Sequence, residues 1–177
     1  ENSSILSNLG SITSSGNTSI GMSADNSTVM NGATGTITMN GSGSAGIYGK
    51  ENSTISNLGN ITLKSNASAG IYSASNIDLQ GHYIKIGDTS NPNIDNVAYN
   101  VGVYPVGGST NTANIYLGKG SIELNGGHDN TGIVVKDNQG RVFSESEMVM
   151  NGGKNNTAIY SKGHLGNHAD VVVKSIE

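Results

Sequence analysis

The chain has 177 residues, a net charge of −4, no cysteine, no tryptophan and a single phenylalanine. The mild charge and the absence of any Lys/Arg cluster argue against nucleic acid or an anionic membrane as partner. No apolar run reaches the roughly 18 residues a bilayer-spanning helix needs, and without disulfides the fold must be held by its core and its backbone ladders.

Three short phrases recur along the chain in a fixed order. Asn2-Ser3-Ser4-Ile5 comes first, then Gly10-Ser11-Ile12-Thr13, then a degenerate Ile20-Gly21-Met22-Ser23. The set returns as Asn26-Ser27-Thr28-Val29, Gly35-Thr36-Ile37-Thr38 and Ala45-Gly46-Ile47-Tyr48. A third pass reads Asn52-Ser53-Thr54-Ile55, Gly59-Asn60-Ile61-Thr62 and Ala69-Gly70-Ile71-Tyr72. Looser copies follow at 75–79, around Ile84, at Val101-Gly102-Val103-Tyr104, Ala113–Leu117, Gly120–Glu123 and Thr131–Val134. The last are Thr157-Ala158-Ile159-Tyr160 and Ala169–Val173, the latter read as a copy of the first phrase. From Ile12 to Ile37 is 25 residues and from Ile37 to Ile61 is 24. A fixed period of this size is the signature of a solenoid whose repeats stack on one another.

Within each phrase apolar residues alternate with polar ones, as in Ile37-Thr38-Met39 and Ile61-Thr62-Leu63. Alternation by two is the β period, with one residue inward and the next outward. Three short strands per turn, separated by Gly/Asn/Ser turns, predict an all-β parallel β-helix of about 24–25 residues per coil. Residues 1–177 read as a single such segment of six to seven coils. Inward residues then stack in ladders, one through Ile12, Ile37, Ile61, Ile84, Ile122 and Met148, another through Met22, Ile47, Ile71, Val103, Ile133 and Ile159. Gly and Asn are assigned to the corners, where left-handed backbone is tolerated, and stacked Asn side chains are expected there.

The combination of Asn57-Leu58-Gly59-Asn60-Ile61-Thr62 with Ser44–Tyr48 and Ser68–Tyr72 resembles the passenger repeats of very large autotransporter (type V secretion) adhesins of the fusobacterial outer-membrane type. The resemblance covers most of the chain. It implies a right-handed β-helix displayed on the surface of a Gram-negative cell, a role in virulence-associated adhesion, and a partner that is a host-cell or bacterial surface protein or glycan. That family also carries an N-terminal signal and a C-terminal membrane barrel. Because this sequence begins and ends inside the repeat, it is expected to be an internal fragment, monomeric and not itself membrane-inserted.

Departures from the period are the candidate sites. Ile84 to Gly102 spans 18 residues where earlier coils need 9, which predicts a polar excursion near 87–100 that holds Asp88, Asn91, Asn93 and Asp95. A second excursion is expected near 105–112. In repeat proteins such insertions map to loops, often on a binding face. An outward stripe of Ser23, Tyr48, Tyr72, Tyr104, Val134 and Tyr160 is the other candidate, its tyrosines suited to protein or glycan contact and stacking of the rings its simplest role.

No catalytic residue, metal site or cofactor is expected. Gly41–Gly46 fits a dinucleotide-binding glycine pattern, but no helix follows it. Gly126-Gly127-His128-Asp129 has no second carboxylate at the matching place one coil later, where Lys154-Asn155 stands, so acid/base glycosidase chemistry finds no partner group. His164 and His168 are read as loop residues between glycines, and the other histidines likewise. The sequence therefore predicts an adhesin segment rather than an enzyme. A ligand-free spacer and a polysaccharide-active enzyme are the alternatives.

Overall fold

The computed structural model describes residues 4–74, 77–81, 83–88, 90, 96–106, 113–135, 140–161, 164–167 and 171–174. It is an all-β parallel solenoid, and the alternating phrases are its strands. The first sheet stacks Ile5–Asn8, Thr28–Asn31, Thr54–Asn57, Ile77–Leu79, Ala113–Leu117, Gly140–Ser144 and His164–Asn167 in that order. A second stacks Ser11–Ser14, Thr36–Met39, Asn60–Leu63, Tyr83–Gly87, Ser121–Asn125, Glu147–Asn151 and Val171–Lys174. The third runs Ile20–Ala24, Ala45–Gly49, Ala69–Ser73, Val101–Pro105, Thr131–Val135 and Thr157–Ser161. Every pairing is parallel and joins a strand to its copy one coil away.

The core is the set of inward ladders. Ile12, Ile37, Ile61, Ile84, Ile122 and Met148 stack in register on the second sheet, and Val171 continues the register beyond Met148. Met22, Ile47, Ile71, Val103, Ile133 and Ile159 do the same on the third. Their middle members are fully buried. Both ladders match the sequence expectation rung for rung.

Inside the third-sheet strands the glycines serve close approach, not turning. A Cβ on Gly46 would lie 2.8 Å from Ile61 Cγ2 and 2.7 Å from the carbonyl oxygen of Gly70. A Cβ on Gly70 would meet Ile84 Cγ2 at 3.0 Å and the Gly102 carbonyl oxygen at 2.6 Å. Thus the isoleucine of one phrase occupies the space that the glycine of another leaves open. This corrects the assignment of glycine to corners alone, although Gly43, Gly81 and Gly153 are positive-φ corner residues as expected.

The expected asparagine ladders are present. Asn8 Nδ2 donates to Asn31 Oδ1 at 2.8 Å, and Asn31 Nδ2 donates to Asn57 Oδ1 at 2.7 Å. Asn57 ends the column by donating to the Gly59 carbonyl. At the corner before the third sheet, a column of side-chain oxygens accepts backbone N–H groups from the preceding coil. Ser44 Oγ accepts from Ser19, Ser68 Oγ from Ser44, Asn100 Oδ1 from Ser68, and Asn130 Oδ1 from Asn100. Turn donors that would otherwise be orphaned are satisfied in this way.

Three expectations in the less regular half are corrected. Val171–Lys174 belongs to the second sheet, paired with Glu147–Asn151, and is not a copy of the first phrase. The first-sheet copies there are Gly140–Ser144, which the sequence reading left unassigned, and His164–Asn167. His164 therefore opens a strand rather than sitting in a loop, because sheet pairing with Arg141 overrides the flanking glycines. Finally, Val97 and Ala98 are buried, and Ala98 bonds to both Asn66 and Ala67, so 97–100 form the coil's corner and not the end of an excursion.

Candidate functional site

The outward face of the third sheet carries a groove of about 440 Å³ that runs along the solenoid across four coils. Its floor is the outward column Ile20, Ala45, Ala69 and Val101, held in register by strand pairing. One wall is Tyr48, Tyr72 and Tyr104, three residues further along the same strands and again outward. The opposite wall is the corner column Thr18, Gly43, Ala67 and Tyr99. All four corner residues have positive φ, at 54°, 68°, 53° and 57°. The smallest lining residues are Gly43, Ala45, Ala67 and Ala69, in its two middle coils.

Tyr48 and Tyr72 stack with ring centroids 5.7 Å apart and an interplanar angle of 29°. Tyr72 and Tyr104 meet edge to face at 5.3 Å and 84°. All three rings are half-buried. Tyr72 lies between two other phenols, and its hydroxyl is a weaker acid than an ordinary tyrosine: burial disfavours the phenolate, and neighbouring Tyr104 and Tyr48 add repulsion. Tyr160 is exposed and outward on the same sheet, but its strand partner is the buried Val134, so it stands apart from the other three. The predicted stripe is thus a contiguous triad plus one separate tyrosine.

Tyr99 was not picked out by the sequence reading. It is 63% exposed and sits edge to face with the His128 ring at 5.5 Å, closing one end of the groove. His128 Nδ1 and Asp129 Oδ2 share a hydrogen bond of 2.7 Å. Its signal is positional: residues 18, 43, 67, 99, 129 and 155 each lie three places before the strand residue at 21, 46, 70, 102, 132 and 158, and all have positive φ.

Asp88 is placed elsewhere, on the second-sheet side, in a smaller hollow with Thr38, Thr62, Lys64 and Lys85. Its Oδ1 accepts hydrogen bonds from Ser90 Oγ at 2.6 Å and from Ser90 N–H at 2.9 Å. The hydroxyl first and the amide second make it a stronger acid than usual. Asp88 therefore closes its own turn and does not converge with the tyrosines. Asn91, Asn93 and Asp95, and residues 107–112 of the second excursion, lie outside the described residues.

Among the described residues no group of three or more His, Asp or Glu side chains is placed to hold a metal ion. Glu123 is paired with Lys85 at 3.6 Å, and Asp129 with His128 at 2.7 Å. No family model, curated protein or solved structure matches this chain.

Proposed function

We propose that this chain is a segment of the passenger of a Gram-negative surface autotransporter adhesin. In this reading it is a rigid stalk that also contributes contact area toward a host-cell or bacterial surface molecule. The observation that carries the reading is the tyrosine-walled groove, a concave, uncharged and aromatic surface on a frame of stacked coils. Tyrosine supplies large contact area at low entropic cost and a polar tip, a combination suited to recognition. The repeats that resemble autotransporter passengers support the cellular setting. No catalytic role is assigned: Asp25 and Glu123 are paired with lysines, Asp129 with His128 and Asp88 with Ser90.

The test is binding of the purified fragment to epithelial cells, comparing the native chain with Ala69→Lys, which fills the groove floor, and with a deletion of 88–96. Native binding that is lost in Ala69→Lys and kept in the deletion supports contact through the groove. Loss only in the deletion moves the contact to the excursion. Absence of binding by the native chain overturns adhesion for this segment and leaves a spacer.

A further inference from the structure

We infer that the groove takes a polyproline II segment: an uncharged, proline-rich stretch of a partner protein laid parallel to the solenoid axis. The inference rests on the reading of this face as a contact surface and narrows it to one kind of ligand.

Length and period favour this occupant. The groove crosses four coils, three steps of about 4.8 Å, or about 14 Å. Polyproline II advances about 3.1 Å per residue, so four to five residues fill the slot. It repeats after three residues, about 9.3 Å, close to the roughly 9.6 Å of two coils. The same edge of the ligand therefore meets Tyr48 and Tyr104, with Tyr72 between. An extended β-strand repeats at about 6.8 Å and falls out of step with the rungs.

Charge and hydrogen bonding agree with it. None of the side chains lining the groove is charged, so a charged peptide would surrender hydration without gaining a counter-ion. The inner strands of the third sheet are paired on both sides, which leaves no edge for an added strand. Recognition falls to the rings and the phenol hydroxyls. A polyproline II backbone makes no internal hydrogen bonds and presents its carbonyls, to which phenols donate. Because the ligand helix is preformed, docking it on aromatic rings sacrifices little entropy.

Tyr99 is the second, independent observation. The same left-handed corner is held elsewhere by Thr18, Gly43, Ala67, Asp129 and Asn155, so the backbone belongs to the repeat and the ring is what sets Tyr99 apart. That ring is largely exposed at the groove's end, where it adds aromatic surface to the wall of Tyr48, Tyr72 and Tyr104.

The experiment is an amide NMR titration of the full chain with synthetic decaproline, with a Gly-Ser decamer and maltohexaose as parallel probes. Ala69→Lys fills the slot, and Tyr99→Asn removes the end ring while placing a residue at home in left-handed backbone. Circular dichroism and thermal midpoint verify both folds, and Tyr99→Asn is expected to melt no lower than the native chain. Decaproline is expected to shift Ala45, Ala69 and Val101 and to bind each variant at least about tenfold more weakly. No groove shifts with decaproline, or equal binding by all three chains, overturns the inference. Shifts with maltohexaose alone overturn it too, while contact through this face stands. If decaproline occupies the groove but cells bind native chain and Ala69→Lys equally, the ligand assignment holds and the adhesive reading falls.

Discussion

Gly70 lies mid-strand with ordinary backbone angles, so its identity reflects its neighbours. Alanine there would place a Cβ 2.6 Å from the Gly102 carbonyl oxygen, a backbone atom fixed by the next coil, and 3.0 Å from Ile84 Cγ2. Gly10 has nothing within 4 Å of the equivalent position. Gly70→Ala should therefore lower the unfolding free energy by about 1–3 kcal/mol, as overpacking does, and Gly10→Ala by less than about 0.5 kcal/mol. Urea denaturation of the pair checks this, and equal midpoints would show that the strand glycines are not packing residues. Tyr72 offers a second test. Its raised pKa means that the neutral phenol is the form the fold favours. That contribution is complete below about pH 10 and is lost as pH rises through the raised value. The native chain should lose stability relative to Tyr72→Phe above about pH 10, whereas parallel pH profiles would mean that burial leaves the phenol unperturbed.

At the scale of the element, the asparagine column couples adjacent coils through side chains. Asn31 is fully buried, accepts from Asn8 and donates to Asn57. Asn31→Asp keeps the acceptor but loses the donor, and it buries a charge with no counter-ion. The expected loss at pH 7 is about 3–5 kcal/mol. Protonation restores a donor toward Asn57 Oδ1, so the carboxyl should titrate above its ordinary range. The stabilising form is then the one present at low pH and lost as pH rises. Thermal melts should show the variant recovering toward pH 4, and a deficit independent of pH would exclude a buried charge. These ladders also mark what sequence could convey. Ile37, Ile61 and Ile47 announce their own rungs because alternation and spacing both survive in the early coils. Val171–Lys174 was misplaced because Val171-Val172-Val173 carries no polar–apolar alternation to mark its register. Tyr48, Tyr72 and Tyr104 were readable as one face. Tyr99 was not, since its membership of the groove depends on a corner conformation that no local composition reveals.

For the whole molecule, each coil touches only its neighbours, so stability is close to a sum of coil terms and interface terms. Ile71 sits in a central coil, between Ile47 and Val103, and is fully buried. Its replacement by alanine should cost about 2–5 kcal/mol. The location of that loss follows from the one-dimensional architecture. A weakened central coil separates the solenoid into two shorter stacks, each with a new frayed end. Hydrogen exchange should therefore accelerate most in Ala45–Gly49, Ala69–Ser73 and Val101–Pro105, and less in Glu147–Asn151. The same substitution at Ile12, in the first coil described, should leave the central strands protected, since only one interface is weakened. Urea unfolding of Ile71→Ala should also broaden, because two partly independent stacks replace one cooperative unit. A uniform rise in exchange across all strands with an unchanged urea slope would instead make the solenoid a single cooperative body, in which no coil can loosen without the rest.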